Sequence, residues 1–255
     1  MKSQRIRIRR TEFVLLFAAF RAVEGLEIAT LGIPKVVDYR NVSSVVKEQG
    51  ACGACWAFAP LEAVELLSTL QGRAPSRASF SVQHVIDCSD ISYGCSGGDI
   101  CDAVDYLQTS KYHFVAEAAY FPYTEDKLEC RKEVSQSCRR KAKYTSDISI
   151  TRSWCENYAG REGDLLRLVA KGPVIATVDA TVWRDYLGGI IRFNCDAGEK
   201  NHAVVIVGYD LTSEPPFYIV KNSWGMSFGD KGYLYIAIGA NLCGIADKVS
   251  RVSID

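Results

Sequence analysis

The strongest constraint on the fold is a change in hydrophobic pattern partway along the chain. Residues 54–70 carry apolar side chains at helical spacing and stop at Gly72, and shorter helical patterns follow at residues 81–86 and 99–107. The later segments are rich in β-branched and aromatic residues between turn signals, at residues 172–179, 202–209, 217–220 and 232–238. A helical part followed by antiparallel strands predicts an α+β chain whose two lobes face each other across a cleft.

Cysteine usage indicates the compartment. The 255-residue chain has ten cysteines and only three histidines, which favours disulfides in an oxidising environment, and hence the secretory pathway, over a set of zinc sites. Lys plus Arg equals Asp plus Glu at 30 each, so no net charge draws the chain to nucleic acid or to an anionic membrane. We therefore expect no nucleic-acid partner.

The N-terminus resembles a signal peptide. Five basic residues precede the apolar run at residues 13–20, and that run is too short to span a bilayer. We expect no stable membrane insertion.

The densest chemical motif is the segment 49–58, Gln-Gly-Ala-Cys-Gly-Ala-Cys-Trp-Ala-Phe, directly before the longest helix. Pro60 is tolerable only near the first turn of a helix, which places the start of this helix close to Cys55. Amide N–H groups and the positive dipole end at a helix N-terminus stabilise thiolate over thiol. Cys55 is therefore a candidate nucleophile.

A nucleophilic cysteine needs a histidine partner. His84 lies within a short predicted helix and His113 lies in an aromatic segment, so both are most simply structural or surface residues. His202 opens a predicted strand, and the next strand ends at Asn222, whose amide could fix the tautomer and orientation of the imidazole.

Taken together, these motifs resemble the papain-like cysteine peptidases. Gln49, the Cys-Gly-Ala-Cys-Trp run, and the segments 94–98, 201–203 and 222–225 occur in that family's order. Segments 81–88, 183–191 and 243–247 resemble one cathepsin branch of the family.

The resemblance implies a fold with a helical left lobe at about residues 42–155 and an antiparallel β-barrel right lobe at about residues 156–250. It identifies residues 33–255 as the peptidase domain and residues 1–32 as a signal-like segment with a propeptide remnant.

The same resemblance implies a cysteine-type endopeptidase that works through an acyl-enzyme on Cys55, in lysosomal or extracellular proteolysis. His202 would be the base, Asn222 would orient it, Gln49 would bind the oxyanion and Trp224 would shield the His202–Asn222 bond. No metal or other cofactor is implied. Expected partners are protein or peptide substrates and cystatin-like inhibitors, and the expected state is a monomer.

Disulfides and substrate contacts are also implied by the resemblance. The implied pairs are Cys52–Cys95, Cys88–Cys130 and Cys195–Cys243. An odd set remains, Cys101, Cys138 and Cys155, and spacing permits a Cys138–Cys155 pair without requiring it. The implied substrate-binding residues are Gly97, Gly98, Asp99, Ile100, Thr177, Ala203 and Lys248, the last five around the side chain of the second residue before the scissile bond. Asp99 and Lys248 could pair with each other, or Lys248 could be free to attract an acidic side chain.

Two other classes of function are open at this stage. Cys52 and Cys55 form a C-x-x-C motif that suits thiol/disulfide exchange, although this leaves Gln49, His202 and Asn222 unexplained. A peptidase-like protein that binds without cutting is the other class. Ala54 stands where the family usually has Ser or Gly, and Phe228 stands where a second tryptophan is expected.

Overall fold

The computed structural model describes residues 31–109, 122–131 and 148–255. The signal-like segment up to residue 30, His113 and Cys138 lie outside the described residues. Of the charged stretch at residues 125–143, which we expect to be a loop, the described part up to residue 131 contains neither helix nor strand.

The three predicted helices are present. They are α1 (Cys55–Leu70), α2 (Val82–Cys88) and α3 (Ile100–Thr109). The Ser81 hydroxyl accepts the His84 N–H at 3.1 Å at the start of α2, and Asp99 Oδ1 accepts the Cys101 N–H at 2.8 Å at the start of α3. A fourth helix, α4 (Glu162–Val169), was not predicted, although its buried Leu165, Leu166 and Val169 have helical spacing.

Helix α1 is buried on nearly all sides and packs against α2, α3 and the sheet. Only Cys55, Thr69 and Leu70 are even partly exposed. The helix begins at Cys55, as Pro60 predicted. Pro60 is its sixth residue, so the Trp56 carbonyl lacks the N–H that would normally bond to it. Tertiary packing therefore holds this helix together, because most of its surface is removed from water.

Eight strands form one sheet. They are β1 (Val36–Asp38), β2 (Ile150–Glu156), β3 (Val174–Val178), β4 (Ile190–Ile191), β5 (His202–Asp210), β6 (Phe217–Lys221), β7 (Tyr233–Ala237) and β8 (Val249–Ile254). The order is β2-β8-β3-β5-β6-β7-β4, with β1 paired to β5. The four predicted strands correspond to β3, β5, β6 and β7, whereas β2 and β8 were not predicted.

The α+β class is confirmed, but the sheet is not the closed antiparallel barrel that we expected. Within the described residues β2 and β4 end the strand order without pairing to each other, and β4 joins β7 in parallel. A two-residue strand such as β4 offers too few hydrogen bonds to close a barrel. Strand β2 lies largely within the range assigned to the helical lobe, yet it belongs to the sheet because it pairs with β8 along its length.

The described residues from 34 to 255 form one compact unit. The pairing of β1 with β5 depends on Gly208, since a Cβ atom there would lie 2.1 Å from the Val37 carbonyl oxygen. No helix in the described segments is long and apolar enough to cross a bilayer.

Candidate active site

A cleft of about 760 Å³ lies where the N-terminal ends of α1 and α3 meet the sheet. The helical wall is formed by Gln49, by the start of α1 and by residues 95–100, and the opposite wall by Thr177 on β3, His202 and Ala203 on β5, and Lys248 just before β8. Every residue that the sequence placed in the site lines this cleft except Asn222, which is buried behind His202.

Cys55 is the first residue of α1 and the only cysteine without a disulfide among the described residues. Burial raises the pKa of its thiol, while hydrogen bonds from the backbone of Ala203, Trp56 and Cys55 itself lower it. The net pKa is raised, so the expected thiolate stabilisation at the helix start is smaller than the cost of desolvating the charge. Burial therefore works against the thiolate form of Cys55.

The proton position on His202 follows from its neighbours. His202 Nε2 lies 2.7 Å from Asn222 Oδ1, and the same oxygen accepts the Ser223 backbone N–H at 2.8 Å. Because a backbone N–H can only donate, it identifies this atom of the amide as the oxygen, so His202 Nε2 must carry the proton. The other ring nitrogen, Nδ1, is left as the basic atom.

Aromatic rings enclose His202. Trp224 stacks on the imidazole with ring centroids 4.9 Å apart and an interplanar angle of 33°, and Trp183 meets it edge-on at 6.0 Å. Burial lowers the pKa of His202 to about 4, although the Asn222 hydrogen bond acts in the opposite direction. Trp183 received no role from the sequence, although it lies in one of the segments that carried the family resemblance.

Gln49 is held from several sides. Its Nε2 donates to the Cys52 carbonyl at 2.9 Å, and its Oε1 accepts from the Ser223 hydroxyl at 2.6 Å. The Tyr123 hydroxyl donates to the Gln49 carbonyl at 2.8 Å. One Nε2 hydrogen thus stays available for a ligand in the cleft. Neither Ser223 nor Tyr123 received a role from the sequence. Ser223 lies between Asn222 and Trp224, both of which did receive roles from the sequence.

Four disulfides are present among the described residues. Three are the pairs that the resemblance implied, Cys52–Cys95, Cys88–Cys130 and Cys195–Cys243, and the fourth is Cys101–Cys155. A Cys138–Cys155 pair is therefore wrong. The redox hypothesis is also wrong, because Cys52 is bonded to Cys95 rather than to Cys55.

The wall near Cys55 requires glycine. A Cβ atom on Gly98 would lie 2.6 Å from the Trp56 indole, whose Nε1 donates to the Gly94 carbonyl at 2.9 Å. Gly97 has φ of 114°, in the region that favours glycine. Both glycines therefore leave their backbone open to the cleft.

The two departures from the family pattern are structurally accommodated. Ala54 is fully buried before α1. Phe228 contacts Trp224 edge-on, with centroids 5.1 Å apart, and also packs on Tyr186 at 5.7 Å. An aromatic wall is thus retained beside Trp224.

A free thiol at a helix start, with an amide-held histidine across an open cleft, defines a cysteine-dependent hydrolase. The family model described as "Papain family cysteine protease" matches residues 33–253, and the chain belongs to that family. It is accordingly a cysteine peptidase that acts on peptide or protein substrates.

Individual relatives narrow the position within the family. The chain is 39% identical over 228 residues to Cathepsin O of Mus musculus, covering 88% of this chain and 70% of the relative. It is 37% identical over 239 residues to Cathepsin O of Homo sapiens, covering 92% and 71%. The cathepsin branch indicated by the sequence is thereby confirmed.

Among solved structures, the bromelain protease of Ananas comosus in complex with an inhibitor superposes with a TM-score of 0.75 at 30% identity. That match covers 88% of this chain and all (100%) of the bromelain chain.

Proposed function

We propose that the chain is an endopeptidase that cuts peptide bonds through an acyl-enzyme on Cys55. The observation that carries this proposal is the hydrogen bond between His202 Nε2 and Asn222 Oδ1, because it leaves Nδ1 free as a base in the cleft that contains the only free thiol of the described chain. A neutral imidazole can accept the thiol proton, whereas an imidazolium cannot.

In the proposed reaction, His202 Nδ1 takes the proton of Cys55 as the sulfur attacks the carbonyl carbon. Transfer of the proton creates opposite charges side by side, and their attraction offsets the cost of burying each charge. The oxyanion accepts hydrogen bonds from Gln49 Nε2 and from the Cys55 backbone N–H. His202 then protonates the departing amine, and water, deprotonated by His202, hydrolyses the thioester.

Cleavage within chains is supported by the make-up of the cleft. Exopeptidase action would need a group that blocks one end of the cleft and binds a chain terminus. The sequence contains no long insertion with paired histidines. Of the described histidines, His202 lines the cleft and His84 is buried in α2.

The proposed setting is the lysosome or the extracellular space. Four disulfides support an oxidising compartment, because thiols stay reduced in the cytosol. The proposed partners are protein or peptide substrates and cystatin-like inhibitors. The proposed state is a monomer that neither binds nucleic acid nor inserts into a membrane.

Covalent labelling tests the proposal. An epoxide that alkylates activated thiolates should modify Cys55 under mildly acidic conditions, and peptide mapping should place the adduct there. The matched control is Cys55→Ala, which should neither label nor cut. Digestion of a peptide blocked at both ends then separates endopeptidase from exopeptidase action, since only an endopeptidase cuts it.

A further inference from the structure

We propose that Asp99 and Lys248, which we call the cross-cleft pair, make the cleft beside Cys55 reject charged substrate side chains of either sign. The inference rests on the proposed function and adds a substrate class to it. The two side chains form an ion pair, Asp99 Oδ2 with Lys248 Nζ, from opposite walls of the cleft that holds Cys55. A substrate side chain that enters this part of the cleft must meet both.

The cross-cleft pair is partly shielded from water. The side chains of Asp99 and Lys248 are 36% and 40% exposed. Burial acts to raise the pKa of Asp99, yet the bonds from Lys248 and from the backbone of Cys101 and Asp102 outweigh it and lower that pKa. The contacts of Asp99 therefore favour its ionised form.

Each partner is also held by a second contact. Asp99 Oδ1 accepts the Cys101 N–H at 2.8 Å, which fixes the carboxylate at the start of α3. The Lys248 carbonyl accepts the Thr177 N–H at 3.0 Å, which fixes the lysine backbone beside β3. Exposed ion pairs are weak largely because ordering two flexible side chains costs entropy. Here the Asp99 carboxylate is already ordered by the Cys101 N–H, so the remaining cost falls on the Lys248 side chain.

A disulfide ties the two walls together next to the pair. Cys101, two residues after Asp99, is bonded to Cys155 on β2. Cys155 lies opposite Ser250 on β8, two residues after Lys248. The ion pair and the disulfide therefore close one small ring that joins α3 to the edge of the sheet.

The consequence for substrates follows from charge balance. A carboxylate can reach Lys248 only by displacing Asp99, and an ammonium or guanidinium can reach Asp99 only by displacing Lys248. Either displacement leaves one charge of the pair without its partner, which is unfavourable in a partly dry site. An uncharged side chain displaces neither.

Two other cations line the cleft. Lys200 is paired with Asp247 at 2.8 Å. Arg184 has no acidic partner in the part of the chain that the structure describes, and it belongs to the turn whose Trp183 packs on Trp224. Its charge therefore acts at the Trp224 end of the cleft, on a different substrate position.

A peptide library that varies one position at a time tests the proposal with three variants. Asp99→Asn keeps the oxygen that accepts the Cys101 N–H but frees Lys248, Lys248→Gln frees Asp99, and the double variant removes both charges. At the substrate position whose side chain contacts the cross-cleft pair, the wild type should prefer uncharged side chains over Glu and Lys. Asp99→Asn should raise relative kcat/KM for Glu at that position about tenfold, or about 1.4 kcal/mol, and Lys248→Gln should do the same for Lys. The double variant should show neither gain.

A matched control is Asp164→Asn, which breaks the somewhat more exposed Arg167–Asp164 pair at 2.6 Å outside the cleft and should leave the profile unchanged. The proposal would be overturned if the wild type preferred Glu or Lys at that substrate position, or if all variants shared one profile of side-chain preference. Either result would leave the peptidase function intact.

Calorimetry can measure how tightly the same peptides bind to these variants in a Cys55→Ala background. It ranks the peptides by affinity without bond cleavage. If hydrolysis fails but this ranking switches with the charges, the proposed function is wrong and the cross-cleft pair still selects its ligand. A ranking that ignores the charges contradicts the proposal in that case as well.

Discussion

Single atoms of Asn222 organise the chemistry that we propose. Its Oδ1 accepts hydrogen bonds from both His202 and Ser223, while its Nδ2 is buried without a hydrogen-bond partner. An unpaired buried donor costs about 1–3 kcal/mol. We interpret this cost as part of the arrangement that orients His202, since a flipped amide would set two donors against each other.

The first prediction concerns the pH dependence of activity. His202 must be neutral to accept the Cys55 proton, and burial lowers its pKa to about 4. We expect kcat/KM to be constant in mildly acidic solution and to fall about tenfold per pH unit below that pKa. This fall is the acid limb of the pH profile. Asn222→Ala should move the acid limb to lower pH, because the Asn222 hydrogen bond raises the pKa of His202.

His84 provides the control for this experiment. It is also buried with a pKa lowered to about 4, but it lies in α2 away from the cleft. His84→Gln should leave the acid limb in place. An acid limb near the ordinary histidine value, or one that moves with His84, would contradict the assignment of His202 as the base.

The second prediction concerns Gln49. Replacing it by alanine removes one oxyanion donor and should lower kcat by about 10² to 10³. Ser223→Ala removes only the hydroxyl that holds Gln49 Oε1, so we expect a much smaller loss. Steady-state kinetics on one peptide substrate would compare the two, and equal losses would argue that Gln49 acts through packing alone.

At the scale of elements, α1 carries the proposed nucleophile at one end and buried charges in its middle. Glu65 accepts from Lys47, Ser44 and the Phe80 backbone at 2.6–2.7 Å. Glu62 lies 3.6 Å from Lys221 on β6, and Asn222 directly follows that strand. The charges therefore link the helix that bears Cys55 to the strand that leads into the orienting amide.

The third prediction is that Glu62 makes stability fall as pH rises. Burial raises its pKa above the ordinary 4.5, although Lys221 opposes the shift. Below pH 4.5 the carboxyl is neutral in both states. As pH rises the unfolded state loses its proton first, so the free energy of unfolding falls by at most about 1.4 kcal/mol per pH unit until the folded-state pKa is passed.

Glu62→Gln removes this titration while keeping a similar shape. Urea unfolding of both proteins at pH 4 to 7 isolates the effect as a difference, because His84 and His202 titrate equally in both. The wild type should lose stability relative to the variant as pH increases. A constant difference would mean that folding leaves the pKa of Glu62 unchanged, and this would contradict the prediction.

For the whole molecule, the cleft depends on how the helical elements are held against the sheet. Cys101–Cys155 joins α3 to β2, and so connects one wall of the cleft to the edge of the sheet. Non-covalent packing of α3 on β2 acts at the same junction. The selectivity that we propose for the cross-cleft pair thus depends on how the two sides are joined.

The fourth prediction is that Cys101→Ser with Cys155→Ser lowers the free energy of unfolding by about 2–4 kcal/mol, measured in urea without reductant. Hydrolysis should persist, since Cys55 is on α1, but discrimination by the cross-cleft pair should weaken. Removing Cys88–Cys130, which closes a loop of similar length, should cost similar stability and leave discrimination unchanged. Equal discrimination in both double variants would show that the disulfide does not hold the pair.

Local pattern determined much of this protein. Helical spacing located α1 to α3, and segments rich in β-branched and aromatic residues between turn signals located four central strands. Short motifs pointed to Cys55, His202 and Asn222, and the family resemblance of those motifs added Gln49. Each of these signals is written in neighbouring residues, so it can be recognised without coordinates.

Tertiary structure decided what depends on contacts between distant segments. Cys101 and Cys155 are separated by 54 residues, and Asp99 and Lys248 by 149. No local pattern specifies which cysteine or charge will be the partner. The raised pKa of Cys55 has the same origin, because desolvation depends on everything packed around the thiol, and only the folded chain determines whether burial or the helix start prevails.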